Sequence, residues 1–171
     1  MTMKKIFFQI ALLFIISSCV SNKNLTEETS KSKINSIVDK WHKDAAETNF
    51  QAYFDAIADD GIFIGTDATE NWNKKDFMTF SKPFFDKGKA WDFTSLERNI
   101  YFSTDGKTAW FDELLNTQMK ICRGSGVLVR INNDWKIKHY VLSMTIPNDN
   151  STEVISIKST IEDKIIKEKK K

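Results

Sequence analysis

The order of the hydrophobic patterns along the chain constrains its fold more than any other feature. In the first half, apolar residues recur with the three- and four-residue spacing of amphipathic helices. From residue 90 to residue 144 they tend to alternate, in runs separated by turn signals, as antiparallel strands do. Helices followed by a strand meander indicate an α+β domain in which the helices pack on one face of a curved sheet.

Three helices are predicted before the meander. The first begins near Lys33. Its apolar stripe consists of Ile34, Ile37, Val38, Trp41 and Ala45. The second is short and starts at a capping-box pattern formed by Thr48 and Gln51. Asn73 caps the third, and Pro83 is expected to start a new turn.

Five strands are predicted. Asp59-Asp60-Gly61 is expected to end the second helix, and Ile62–Ile64 then forms a brief strand. The meander consists of strands over residues 90–102, 108–119, 123–131 and 135–144. Asp105-Gly106 and Asn132-Asn133 are its clearest hairpin signals.

The chain starts with a predicted secretory signal peptide. Lys4 and Lys5 precede an apolar run over residues 6–16 that only Gln9 interrupts. This run is shorter than the roughly 20 residues that cross a bilayer core, which disfavours a permanent transmembrane helix. The residues up to Cys19 resemble the lipobox of bacterial lipoproteins, which implies a signal peptide over 1–18 and lipidation of Cys19. The alternative is an ordinary signal peptide with an incidental cysteine.

The expected mature chain is electrically balanced and anchored by its N-terminus. Without residues 1–18 it has 23 basic and 23 acidic residues, which argues against a nucleic-acid-binding protein. Polar residues 19–32 are predicted to form a flexible tether. Val20 and Ser21 place no aspartate beside the anchor, so the expected location is the periplasmic side of the outer membrane.

The other cysteine and the C-terminus receive simpler interpretations. With Cys19 acylated, Cys122 has no partner for an internal disulfide and is expected to be a packed thiol. Residues 148–171 are predicted to be a helical basic tail whose terminal lysines are solvated or contact anionic lipid.

Several short motifs follow one another in a recognisable order. They are Trp41, residues 58–67, Trp72, Asp105-Gly106 with Ala109-Trp110, Arg123-Gly124-Ser125-Gly126, and residues 135–140. This pattern, over residues 33–147, resembles the SnoaL-like branch of the nuclear transport factor two-like superfamily. The resemblance implies a cone in which a strongly bent sheet wraps around a long helix and leaves an apolar cavity.

The family includes ketosteroid isomerases, polyketide cyclases, dehydratases and members that bind ligands or form dimers without a known reaction. Three functions therefore stay open: binding of a small apolar or aromatic molecule, an enzyme of the isomerase, cyclase or dehydratase kind, and a structural homodimer. A dimer is expected to use the outer face of the sheet. The absence of a tyrosine from the predicted first helix argues against isomerase chemistry.

Asp112 and His139 are the candidate catalytic residues. On strict alternation His139 shares a face with Trp135 and Ile137, and would line the cavity as a general base or a ligand contact. The alternative is a core histidine bonded to a neighbouring strand. Asp112 and Glu113 lie on opposite faces of their strand, and Asp112 is preferred as the acid inside the cavity. The alternative for Asp112 is a carboxylate that is solvated or paired with an arginine on a neighbouring strand.

The aromatic content favours an apolar or planar ligand. The expected ligand-binding residues are Trp41, Phe63, Asp67, Trp72, Phe77, Phe84, Trp91, Trp110 and Ser143. The alternative is that the aromatic residues are core and Asp67 only forms a turn. His42 points about 100° away from the stripe of the first helix and is expected to be solvated. No motif for a metal, nucleotide or other cofactor is present, so no cofactor is expected.

Overall fold

The fold is that of a computed structural model, which describes residues 26–170. The elements are α1 (26–46), α2 (Phe50–Asp55), β1 (Ile57–Ile64), β2 (Asn71–Asn73), α3 (Lys74–Asp86), β3 (Phe93–Phe102), β4 (Thr108–Thr117), β5 (Lys120–Ile131), β6 (Asp134–Met144), a short 3-10 helix (Asn148–Asn150) and α4 (Ser151–Lys169). The predicted α+β fold, with helices before a four-stranded meander, is confirmed.

The six strands form one curved, open sheet in the order β2-β1-β6-β5-β4-β3. Neighbouring strands are antiparallel except β1 and β6, which are parallel. The predicted hairpin turns are present: Gly106 has a φ of 66°, and Asn132 and Asn133 have φ values of 49° and 68°. Two consecutive residues in the left-handed region are what a tight hairpin turn requires.

The first strand differs from its prediction. Asp59-Asp60-Gly61 does not separate α2 from the sheet but lies inside β1, where the pairing with β6 is irregular between Ile57 and Ile62. A Cβ atom on Gly61 would lie 2.5 Å from Ile57 Cγ2, so glycine permits this close approach. Strand β2 was not predicted, because three residues are too few to show alternation.

The helix boundaries also need correction. Helix α1 already includes residues 26–32, which the sequence assigned to the tether. The capping box predicted at Thr48 is not formed: Thr48 has a φ of 58°, and α2 begins after Asn49 without a side-chain cap. Pro83 lies inside the last turn of α3 rather than starting a new turn. The predicted cap at Asn73 is confirmed, since its Oδ1 accepts a hydrogen bond from the Asp76 backbone at 3.0 Å.

The core lies between the helices and the inner face of the sheet, which is the face that α1 covers. The stripe of α1 is buried as predicted, including Ile34, Val38 and Trp41. Large aromatic side chains fill most of the interior: Trp41, Tyr53, Phe54, Phe63, Phe77, Phe85, Phe93, Phe111, Trp135 and Tyr140. One apolar pocket borders this aromatic core at the mouth of the cone.

The C-terminal helix lies outside this core. The predicted C-terminal helix is present as α4, and none of its side chains is buried. No helix within residues 26–170 is both long and apolar enough to cross a membrane. The predicted signal peptide and Cys19 lie outside the described residues.

Candidate functional site

An apolar pocket of about 120 Å³ opens at the mouth of the cone. It lies between the end of β1, strand β2, helix α3, the start of β3 and the turn between β4 and β5. Its lining consists of Phe63, Gly65, Thr66, Glu70, Trp72, Phe77, Phe80, Trp91, Phe93, Gln118, Met119 and Leu142. Four of the predicted ligand-binding residues, Phe63, Trp72, Phe77 and Trp91, therefore line one pocket.

Three rings that line this mouth pocket, Phe63, Trp72 and Trp91, each lie nearly parallel to a fourth, Phe77. Phe63 and Phe77 stack with ring centroids 4.0 Å apart and an interplanar angle of 14°. Trp72 stacks on Phe77 at 5.6 Å and 17°, and Trp91 stacks on Phe77 at 5.8 Å and 19°. Rings that share one orientation present flat faces, which suit a planar molecule better than a branched one.

The rim of the mouth pocket supplies a few polar groups. Glu70 lies against the loop after β1, where its carboxylate accepts a hydrogen bond from the Asp67 backbone at 3.2 Å. A Cβ atom on Gly65 would lie 2.1 Å from Glu70 Oε2, so a larger residue at position 65 would displace the end of the Glu70 side chain. The side chains of Thr66 and Gln118 make no hydrogen bond within the described chain. They are free to bond a polar group of a ligand.

Asp67 lies beside the mouth pocket but does not line it. Its carboxylate accepts hydrogen bonds from the Thr69 hydroxyl at 2.6 Å and the Thr69 backbone at 2.8 Å. These two bonds lower the pKa of Asp67. The geometry is that of the turn-forming aspartate considered as the alternative.

The other predicted ligand contacts lie elsewhere. Trp41 is 1% exposed and belongs to the deep core. Phe84 lies on the exposed side of α3 beside Phe80. Trp110 and Ser143 lie on the outer face of the sheet, where Trp110 is 45% exposed and stacks on Tyr101 at 6.0 Å. Trp110 faces outward because the alternate residues of β4 are the buried ones.

His139 also faces outward, contrary to the expectation. Ile137 and Tyr140 are both buried although two residues separate them, because β6 carries an irregularity at Lys138 where its pairing with β5 shifts. Strict alternation therefore fails between these positions. His139 pairs with Val127, which pairs with Trp110, so the three side chains share the outer face.

Asp112 is on the outer face as well, so the prediction that it faces the cavity is wrong. It pairs with Ser125, and its carboxylate accepts a hydrogen bond from Asn99 Nδ2 at 3.3 Å. The inward-facing acid of β4 is its neighbour, Glu113. Asp112 and His139 stand on strands separated by β5 and do not converge in the mouth pocket.

Glu113 is the centre of a buried polar cluster that sequence analysis missed. Its Oε1 accepts hydrogen bonds from His42 Nε2 at 2.8 Å and the Tyr140 hydroxyl at 3.1 Å. Its Oε2 accepts from Arg98 Nε at 2.9 Å and Nη2 at 2.8 Å. Arg98 also donates to Asp39 at 2.7 Å. Both carboxylate oxygens are thus fully used, as a buried charge requires.

Two sequence features are explained by the Glu113 cluster, which comprises His42, Arg98, Glu113 and Tyr140. His42 is 4% exposed, not solvated as expected, because the sheet bends over the side of α1 next to the Trp41 stripe. A Cβ atom on Gly124 would lie 2.2 Å from the Tyr140 hydroxyl, so Tyr140 packs closely against the backbone of β5 at this position. The one feature of the sequence that could have indicated this cluster is Arg98, a charged residue between the apolar residues of β3.

The charges in the cluster shift its ionisation. Burial alone would raise the pKa of Glu113, but the hydrogen bond from His42, together with the charge and hydrogen bonds of Arg98, holds it below the ordinary value of 4.5. Burial and the Glu113 charge raise the pKa of Tyr140 well above 10.0, so its hydroxyl stays a donor at neutral pH.

The lowered pKa of Glu113 predicts a loss of stability in acid. A carboxylate whose folded pKa is depressed stabilises the fold above its unfolded pKa, and that contribution disappears as the pH falls through the folded value. We expect the free energy of unfolding to fall as the pH drops below the ordinary glutamate value of 4.5, and Glu113→Gln to reduce this dependence. Urea unfolding across that range measures it. Asp60→Asn is the exposed control; if it flattens the profile as much as Glu113→Gln, Glu113 is not responsible.

Comparison with known families and structures shows which proteins share this fold. Residues 34–147 match the model of the SnoaL-like domain. An NTF2-like protein of unknown function from Pseudomonas putida KT2440 has a TM-score of 0.61 at 12% identity, covering 72% of this chain and 92% of that one. The association domain of C. elegans CaMKII has a TM-score of 0.57 at 14% identity, covering 70% and 98%.

A third similar structure is a putative aromatic ring hydroxylase from Novosphingobium aromaticivorans, with a TM-score of 0.58 at 12% identity and coverage of 67% and 88%. Identities this low show a common fold alone. No curated protein sequence matches the chain significantly. Since the family model spans more than half of the sequence, the chain belongs to the SnoaL-like domain family.

Proposed function

We propose that this SnoaL-like domain binds a small planar apolar molecule, bearing one polar group, in the mouth pocket. The observation that carries the proposal is the set of parallel rings of Phe63, Trp72, Phe77 and Trp91 beside unpaired polar side chains at the rim. Apolar walls with a few placed polar groups are the usual composition of a small-molecule site.

The size of the mouth pocket limits the ligand. Its volume of about 120 Å³ is close to the roughly 150 Å³ of an apolar cavity that accommodates benzene. Because the pocket opens to solvent, a second ring or a polar substituent can extend past the rim. One- or two-ring aromatic molecules fit this description.

Binding is favoured over catalysis by the chemistry of the lining. Glu70 is the one ionisable side chain among the described residues that line the pocket. The isomerase, cyclase or dehydratase hypothesis relied on Asp112 and His139, which face away from it. A single rim carboxylate can orient a ligand, whereas acid–base chemistry needs a second positioned group.

Indole is a suitable probe because it is planar and has one N–H donor. We expect Trp72→Ala to weaken indole binding by roughly tenfold, since one aromatic wall is lost. Isothermal titration of the mature chain measures the affinity. Trp110→Ala removes the same side chain from the outer face and should leave it unchanged. Equal affinities for wild type and Trp72→Ala would place indole elsewhere.

We also propose that lipid on Cys19 holds the domain to a bacterial membrane, on the periplasmic side of the outer membrane. The lipobox-like residues before Cys19 support this anchor. Two or three acyl chains give durable attachment, because each buried methylene contributes about 0.8 kcal/mol.

Labelling of cells with a palmitate analogue tests the anchor. The full chain is expected to incorporate the label, and Cys19→Ser is expected to abolish incorporation. Cys122→Ser is the matched control, since Cys122 is buried in the domain and should not be acylated. Label that persists in Cys19→Ser would contradict the proposal.

A homodimer through the outer face of the sheet is a further proposal. The exposed, stacked Tyr101–Trp110 pair lies on that face at its β3 side, on the edge strand and its neighbour, and Val127 and His139 follow it across β5 and β6. An exposed aromatic patch on a sheet is a common interaction surface. Three of the similar structures support this proposal: one is an association domain, and two are described as putative association domains.

A further inference from the structure

A second cleft, of about 420 Å³, lies on the side of the cone between α1 and the start of β3. It is lined by Asp39, His42, Lys43, Ala46, Asp92, Phe93, Thr94 and Ser95. Phe93 separates it from the mouth pocket, because this side chain lines both. Because His42 is among the lining residues, the side cleft gives access to one member of the Glu113 cluster.

His42 has one satisfied and one unsatisfied ring nitrogen. Glu113 is an anion that can only accept, so the 2.8 Å contact places a hydrogen on His42 Nε2. Nδ1 makes no hydrogen bond within residues 26–170, and it is not among the buried polar atoms that lack a partner. In a side chain that is 4% exposed, this nitrogen therefore reaches solvent through the side cleft.

The imidazole is held rigidly. Its ring packs against Trp41 at 5.2 Å and Phe93 at 5.9 Å, and Glu113 fixes the other edge. Glu113 is itself fixed by two bonds from Arg98. A carboxylate that orients a histidine while the other nitrogen faces a cleft is an arrangement that prepares that nitrogen for a partner.

The charges around the cleft select the partner. Arg98 already balances the charge of Glu113, and Nδ1 of a ring whose single hydrogen is on Nε2 is a hydrogen-bond acceptor. Asp92 and Asp39 put two carboxylates at the rim, and Asp39 also accepts a hydrogen bond from Arg98 at 2.7 Å. Lys43 is directed to Glu47 at 3.5 Å. An acceptor nitrogen, two carboxylates and the ring of Phe93 together suit a cation that carries N–H groups.

We propose that the side cleft is a binding site for a small primary ammonium group. One N–H donates to His42 Nδ1, and Asp39 and Asp92 balance the positive charge. The Phe93 ring lies against the ligand. The site is independent of the mouth pocket, so its occupant need not be the planar ligand.

The chain contains two histidines, which makes a direct test possible. The full chain, purified in detergent with nitrogen-15 in its histidine rings, is titrated with methylammonium and followed by NMR. We expect free His42 to carry its proton on Nε2, and Nδ1 of His42 to shift on binding. His139, on the outer face, is the internal control and should not shift.

Two controls separate hydrogen bonding from charge alone. Tetramethylammonium has the charge but no N–H, and is expected to bind about tenfold more weakly. Asp92→Asn changes a rim residue outside the core and should weaken methylammonium binding by roughly two- to five-fold. The proposal is overturned if His42 is doubly protonated at neutral pH. It is equally overturned if both histidines shift alike, or if neither shifts at tens of millimolar methylammonium.

Discussion

Glu113→Ala is expected to lower the free energy of unfolding by about 3–5 kcal/mol. The substitution removes the acceptor for four hydrogen bonds and leaves Arg98 as a buried charge whose main counterion is gone. Arg98 then keeps one charged partner, the solvent-exposed carboxylate of Asp39, and the neutral acceptors of Asn35. Urea unfolding at neutral pH measures the loss.

Asp112→Ala is the matched control for Glu113→Ala. It removes a carboxylate from the adjacent residue of the same strand, but from the outer face, where the only side-chain partner in the described chain is Asn99 at 3.3 Å. A change within about 0.5 kcal/mol is expected. If the two substitutions have equal effects, the Glu113 cluster does not stabilise the fold as its geometry indicates.

Trp41→Ala is expected to cost about 3–5 kcal/mol, as large aromatic truncations in a core do. Trp41 is 1% exposed and contacts Tyr53 at 5.0 Å and Tyr140 at 4.8 Å between ring centroids. Its loss would leave a cavity between α1 and the sheet. The lost packing outweighs the removal of its indole N–H, a buried donor without a hydrogen-bond partner in the described chain.

Trp110→Ala is the comparison for Trp41, and it also tests the proposed dimer. In a monomer its cost should stay near 1 kcal/mol, because the side chain is 45% exposed. A dimer through the outer face makes the unfolding midpoint depend on protein concentration, and Trp110→Ala should remove that dependence. A midpoint that is independent of concentration in the wild type would exclude the dimer.

The fold could be predicted from the sequence because the helical spacing of apolar residues occupies the first half of the chain and the alternation typical of strands occupies the second. The stripe from Ile34 to Ala45 and the turn at Asn132-Asn133 are local signals, and tertiary packing agrees with them. Strand β2 and the course of β1 depend instead on pairing with distant residues, which no local pattern reports. Pro83 was predicted to start a new turn, but it lies in the last turn of α3, where the helix tolerates a proline.

The site residues were predicted less well, and for a specific reason. The aromatic lining was found because large apolar side chains cluster around any cavity. The polar residues depend on which face of a strand is inward. One irregularity at Lys138 reverses the face of His139, and β4 offered Asp112 and Glu113 with no local signal to decide between them. Only the long-range partners, His42 and Arg98, identify Glu113 as the inward acid.

The most direct test of the proposed function is a crystal structure of the mature chain with bound indole. We expect the indole ring in the mouth pocket, stacked against Trp72 or Trp91, with its N–H directed to the rim formed by Thr66, Glu70 and Gln118. Indole bound elsewhere, or a pocket closed by the side chains that line it, would contradict the account.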